Sequence, residues 1–252
     1  MKFKLQMPAI LSLLIFILCS SPHLQAATQP VGTLQLEKGI VRIRQNGVDT
    51  MHSERGKVLP IFSGDEFQTG PNTFVRIKLD GSGDDIELSS QTFFRLAKVS
   101  AEGQELSMPT GKAKFTVKKL RIKGRKRRFR IKTANALINI KGSEVIAASF
   151  DGETGVLTLS GSATLESLDD PDVVVEINLN QASKLTTDGN PTSPIVVPED
   201  VRQKILTSDN PKEVFTVVIF GKEVKIKVVK QKEKKKEEEK KDDEKKEDKK
   251  ED

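Results

Sequence analysis

From Leu34 onward, apolar and polar residues alternate in short runs broken by Gly, Asp and Asn. In Val75-Arg76-Ile77-Lys78-Leu79 the apolar side chains share one face and Arg76 and Lys78 the other. That is the period of two expected of a half-buried strand. Strands are likewise predicted over 34–43, 86–88 and 93–99, then through Phe115, Ile131, Ile138, Val145, Leu157, Ala163, Val173 and Ile177. Many short strands with no helical period between them predict an all-β fold, a sandwich or barrel-like roll. Residues 187–198 read as a linker, and Pro198 with Glu199 and Asp200 opens a predicted short helix to Leu206. Residues 214–220 and 223–229 flank Gly221-Lys222 as a hairpin that either extends the sheet or caps it.

The two ends carry different patterns. Lys2 and Lys4 precede an apolar run from Pro8 to Leu18, and Leu24-Gln25-Ala26 offers a small-residue cleavage site before Ala27. This is the pattern of a secretory signal, with an apolar run too short for an ordinary membrane span. A rival reading makes Cys19 a lipid-attachment site, although Leu18 is larger than the small residue such signals prefer. The expected location is therefore periplasmic or secreted, with a lipid anchor at Cys19 as the alternative, and no membrane span in the mature chain. At the other end, residues 230–252 hold eleven cations and eleven acids and nothing apolar to bury. A disordered tail is expected there.

Composition narrows the chemistry. Cleavage after Ala26 would remove Cys19, the only cysteine, leaving no disulfide, thiol nucleophile or Cys-based metal site. With no Trp or Tyr, the core must be built from Val, Ile, Leu and Phe. The formal charge of +6 is unevenly spread, because residues 112–132 contain twelve Lys or Arg and no acid. The remaining body, residues 27–111 and 133–229, is net acidic.

Ser63-Gly64-Asp65-Glu66-Phe67-Gln68-Thr69-Gly70, followed by Phe74 to Leu79 and Asp80-Gly81-Ser82, places a glycine turn, a short strand, a second glycine turn and a longer strand in order. This closely resembles the core of the FecR domain family. Gly111 to Val117 resembles that family's glycine-led strand. Phe129 to Thr133 and Ile138 to Val145 resemble the strand pair around its Arg-Gly-Thr signature, with Lys141 and Ser143 at the Arg and Thr positions. Val156 to Ala163 is similar to the closing strand-glycine-strand. The resemblance spans roughly 32–190 and implies an exported, mostly non-enzymatic fold. The expected organisation is a signal at 1–26, a FecR-like β domain at 27–190, a linker, helix and hairpin appendage at 191–229, and the tail at 230–252.

The basic run is the sharpest candidate for function. Alternation places Phe115 and Phe129 in the core and gathers Lys112, Lys114, Lys118, Lys119, Arg121, Lys123, Arg125, Lys126, Arg127, Arg128, Arg130 and Lys132 on the outer face of one hairpin. Such a surface predicts an anionic partner, the alternative being edge protection against sheet aggregation. Without exposed aromatics to stack bases, nucleic acid is disfavoured. Lipid or lipopolysaccharide phosphates, or an envelope protein, fit better. The Asp80-Gly81-Ser82-Gly83-Asp84-Asp85 stretch fails as an EF-hand, because its sixth and twelfth positions hold Asp85 and Gln91 rather than Gly and Glu. It reads as a turn. His52 reads as a lone loop residue, so no catalytic constellation, metal site or cofactor is expected. A non-enzymatic binding or scaffolding protein is the leading expectation, and an outer component of a sigma-factor signal relay the alternative. FecR family members that inhibit sigma factors carry a cytoplasmic helical domain, whereas here only a signal precedes the β domain.

Overall fold

A computed structural model of the protein describes residues 29–119, 121–122 and 125–209. The predicted signal at 1–26, the predicted hairpin at 214–229 and the charged tail at 230–252 lie outside these residues.

The chain forms nineteen strands and one helix among the described residues. The strands are β1 (Gly32–Lys38), β2 (Val41–Gln45), β3 (Val48–His52), β4 (Val58–Ile61), β5 (Glu66–Thr69), β6 (Phe74–Leu79), β7 (Asp85–Leu88), β8 (Phe93–Ser100), β9 (Gly103–Thr116), β10 (Arg121–Ile122), β11 (Arg125–Lys126), β12 (Arg128–Lys132), β13 (Ala136–Ile140), β14 (Glu144–Phe150), β15 (Glu153–Ser160), β16 (Ser162–Ser167), β17 (Val174–Asn178), β18 (Gln181–Leu185) and β19 (Ile195–Val196). The helix, α1, is Glu199–Thr207.

Pairing sorts seventeen of these into two layers that share β9, and β10 and β11 form a separate two-stranded pair. Sheet A runs β4-β1-β6-β7-β9-β14-β15-β18-β19. Sheet B runs β3-β2-β5-β8-β9-β12-β13-β16-β17. Between them lies one core, to which Leu34, Ile77, Ile86 and Val145 contribute from sheet A and Ile43, Ile131, Ile138 and Leu165 from sheet B. Phe67, Phe94, Phe115 and Phe129 make a continuous row of ring contacts through it, with centroids 6.3, 6.3 and 6.0 Å apart. Tilted and edge-on geometry suits the ring quadrupoles.

The predicted single strand over 34–43 is two strands in different sheets. Gly39 has φ +85°, and a Cβ there would sit 2.2 Å from Thr73 Oγ1. Only glycine fits that corner, and Thr73 closes it by accepting from the Ile40 N–H at 3.0 Å. Alternation continues across the corner, so the sequence pattern hides the change of sheet. Gly111 does the same inside β9, with φ +110° and a Cβ position 2.4 Å from Thr92 Cα.

Sheet A has a second apolar surface. Ile146, Ala148, Leu157 and Ala182 on its outer face are buried beneath Val197, Val201 and Ile205 of the α1 segment. The helix occupies the predicted position, starting after Pro198 with Glu199 and Asp200 in its first turn, where acids favour the helix dipole.

Candidate functional site

The twelve cations of 112–132 do not form one hairpin. The corner at Gly111 commits 111–116 of β9 to sheet A, where it pairs with β7 and β14. The earlier half of β9, Gly103–Ser107, lies parallel to β12 in sheet B. Lys112 and Lys114 are therefore in a different layer from Arg128, Arg130 and Lys132. The small antiparallel pair β10–β11 lies between them in sequence.

Four of the cations are held internally. Lys112 is 3% exposed, and its Nζ donates to the carbonyls of Ile205 and, at 2.5 Å, Ser208 at the end of α1. It is a buried clamp on the helix C-terminus and cannot belong to an outer anion-binding face. A cation suits that end of the dipole. Lys114 lies between Glu144 at 2.9 Å and Glu87 at 3.7 Å. Burial disfavours its charged form, but the two carboxylates outweigh that and raise its pKa above the ordinary lysine value. Arg130 pairs with Glu105 across the parallel β9–β12 register.

Arg127 is also enclosed at its side chain. Its side chain is 3% exposed and meets Asp84, whose side chain is fully buried. Nη2 donates to Asp84 Oδ1 at 2.7 Å, while Nη1 lies 2.5 Å from Oδ2 as an ionic contact without hydrogen-bond alignment. Asp84 Oδ1 also accepts the Lys118 N–H at 2.9 Å. Arg127 therefore does not belong to the expected outer cationic face, because its guanidinium folds back onto Asp84 of the 80–84 turn. The turn reading of that stretch stands, with Asp84 as its buried anchor.

Lys118, Lys119, Arg128 and Lys132 remain exposed. The side chains of Arg121, Lys123, Arg125 and Lys126 lie outside the described ones. The expectation of cations with no acid to offset them fails because Asp84, Glu87, Glu105 and Glu144 come from outside the run. No count within the run could find them.

His52 ends β3 rather than occupying a loop, with Nε2 3.1 Å from Thr50 Oγ1. The Lys141-Gly142-Ser143 signature is structural here. Ser143 Oγ donates to the Ser162 carbonyl at 2.8 Å and accepts its N–H at 2.9 Å, joining the corners before β14 and β16. Among the described residues no cluster of His, Cys, Asp or Glu could hold a metal ion.

Residues 65–164 match the family model described as FecR protein, a stretch running from the start of β5 into β16. No curated protein matches the chain. Two crystal structures of a candidate anti-sigma factor from Parabacteroides distasonis, at 1.65 and 2.50 Å resolution, are similar at 17% identity with a TM-score of 0.47. The similarity covers 57% of this chain and 65% and 64% of those chains, slightly under two thirds of their length. The family match over 65–164 and the sequence motifs that resemble the FecR domain fall on the same stretch of the chain.

Proposed function

We propose that this protein is a non-enzymatic, envelope-side component of a bacterial signal relay, acting by binding another protein. The FecR domain at 65–164 carries this reading. The electrostatics favour it over a dedicated anion-binding surface, since Lys112, Lys114, Arg127 and Arg130 are occupied within the fold. Residues 1–26 supply the export signal in this reading, and intact mass of the exported form should show a chain beginning at Ala27. An acylated Cys19 as first residue would replace export to the periplasm with lipid anchoring. The relay itself is tested by deleting the gene in the producing bacterium and measuring transcripts under envelope stress. A shift in one set of genes sharing an alternative promoter class, restored by the full chain, is expected. Unchanged transcription would overturn the relay.

The exposed Lys118, Lys119, Arg128 and Lys132 favour a second reading, contact with an anionic envelope surface. Binding to vesicles of anionic lipid should then fall with salt and be lost when these four are replaced by Ser. Equal binding by the quadruple variant would end that reading.

A further inference from the structure

Sheet B ends in an open strand on each flank. Among the described residues β3 pairs only with β2, and β17 only with β16. Both strands are five residues long. Exposed apolar side chains gather at the sandwich edges. Val48 and Met51 on β3, Val58 on β4, Val174 on β17 and Val196 on β19 are five of the eight large ones exposed among the described residues. Met51 is 65% exposed and Val174 50%. An edge that offers unpaired backbone groups beside apolar side chains is a template for another strand.

The backbone phase of both edges is fixed. Asn46 and Gly47, with φ 51° and 81°, close β2 and β3 as a two-residue hairpin. The flanking pair Gln45 and Val48 is then hydrogen-bonded, and bonding alternates from there. The N–H and C=O of Asp49 and Met51 therefore point away from β2. In β17 the Val173 carbonyl accepts the Ser167 N–H at 3.1 Å, so alternation turns the groups of Val174 and Glu176 away from β16. Thr50 lies opposite the core residue Ile43, and Ile177 is itself in the core. Asp49, Met51, Val174 and Glu176 are thus all on the outer face. A β3 edge can meet a β17 edge with backbone groups matched and inner faces aligned. Charge selects that combination. Residues 41–60 carry Arg42, Arg44, Arg55 and Lys57 against Asp49 and Glu54, a net charge of +2. Residues 162–180 carry Glu166, Asp169, Asp170, Asp172 and Glu176 and no cation. Two β3 edges, or two β17 edges, repel, whereas one of each attracts. We propose that the partner at this surface is a second copy of the chain, with β3 of one molecule added to sheet B beside β17 of the next. The contact is head-to-tail, so it leaves a free edge at each end and can propagate. This assembly stands independently of the signal-relay reading.

The test is sedimentation of the exported protein and of variants blocked at one edge. The parent should associate increasingly with concentration, and less so in salt. Met51→Pro removes an outward N–H from β3, and Glu176→Pro removes one from β17, without touching the internal ladders. Each should be monomeric alone. Their one-to-one mixture should form a heterodimer and nothing larger, because only one β3 edge and one β17 edge remain open to each other. Two exposed substitutions that spare the backbone give the same answer should a proline variant misfold. Met51→Asp sets an acid against the acidic edge and Glu176→Lys a cation against the cationic one, and each should weaken association at least tenfold with an unchanged melting temperature. A parent that stays monomeric at about 1 mM would overturn the proposal. If its β3 or β17 amides were then protected from hydrogen exchange, the edge would belong to residues 214–229 of the same chain. A Glu176→Pro variant that still dimerises would place β3 against β3 instead, and a mixture of the proline variants that stays monomeric would equally end the head-to-tail contact.

Discussion

On the outer surface of sheet A, the half built from β1, β6 and β7 meets water, whereas the half built from β14, β15 and β18 lies beneath α1. The first half carries a row of alternating charge across neighbouring strands, Glu37, Arg76 and Glu87, which runs through Lys114 of β9 and ends at Glu144, the first residue of β14. The second half replaces that row with Ile146, Ala148, Leu157 and Ala182. The inner faces of both halves enter the same core. One sheet therefore contains both strand types, alternating where one face is wet and apolar on both faces where both are covered. Lys112 and Lys114, two residues apart on the strand at this boundary, show the change. Lys114 joins the ion row, while Lys112 reaches under the helix end.

The largest expected effect comes from the shared inner face. Ile77→Asp should abolish cooperative folding, since burying an unpaired carboxylate costs several kcal/mol at a position with no exposure. A folded variant by circular dichroism and urea titration would show that the two halves do not share one core. Asp84→Ala leaves the enclosed Arg127 uncompensated, and loss of one partner of a buried pair costs about 3–5 kcal/mol. Double replacement of Asp84 and Arg127 by apolar residues should recover much of this. No recovery would mean that the pair holds the loop by more than charge compensation.

Ile146→Asp strikes the outer face alone, where the side chain is 1% exposed under α1. The helix should be released while the sandwich persists, at a cost of about 2–4 kcal/mol. Rapid proteolysis within 195–208, with a retained β signal, checks this. Global unfolding would show that α1 is integral to the sheet. In the wet half, Glu87→Gln removes one member of a part-exposed row, for which about 1 kcal/mol or less is expected. That loss should shrink further in salt.

The smallest effect concerns Asp65, next to β5. Burial raises its carboxyl above the ordinary range, against opposing hydrogen bonds from Gln45 and the Phe62 N–H. The native state therefore keeps the Asp65 proton to higher pH than the unfolded chain does. Its contribution to stability is full below the unfolded value and lost as pH rises through the folded one. Asp65→Asn should be slightly more stable than the parent at pH 7, with the gain vanishing as pH falls into the range where an ordinary aspartate takes up its proton. A gain that grows on acidification, measured by urea unfolding, would reverse the assigned direction.

The β class, the core residues of β6, β7 and β12, the turn at 80–84 and the position of α1 were legible because each depends on local period or turn chemistry. Alternation also placed Phe115 and Phe129 inside correctly. It could not reveal that β1 and β2 occupy different sheets, since a glycine corner leaves the period intact. Nor could it assign the partners of the basic run. Lys112 meets residues more than ninety positions away, and Arg127 a carboxylate forty-three away.

By itself, the sequence determined which positions are apolar, where the chain can turn through positive φ, and that twelve cations lie between residues 112 and 132. Only the tertiary structure decided which of those cations face water. Whether a charge is a surface feature or a buried clamp depends on the acids and carbonyls that distant strands bring to it. The free energy of a charge depends on its surroundings in space, while the sequence records only its neighbours along the chain.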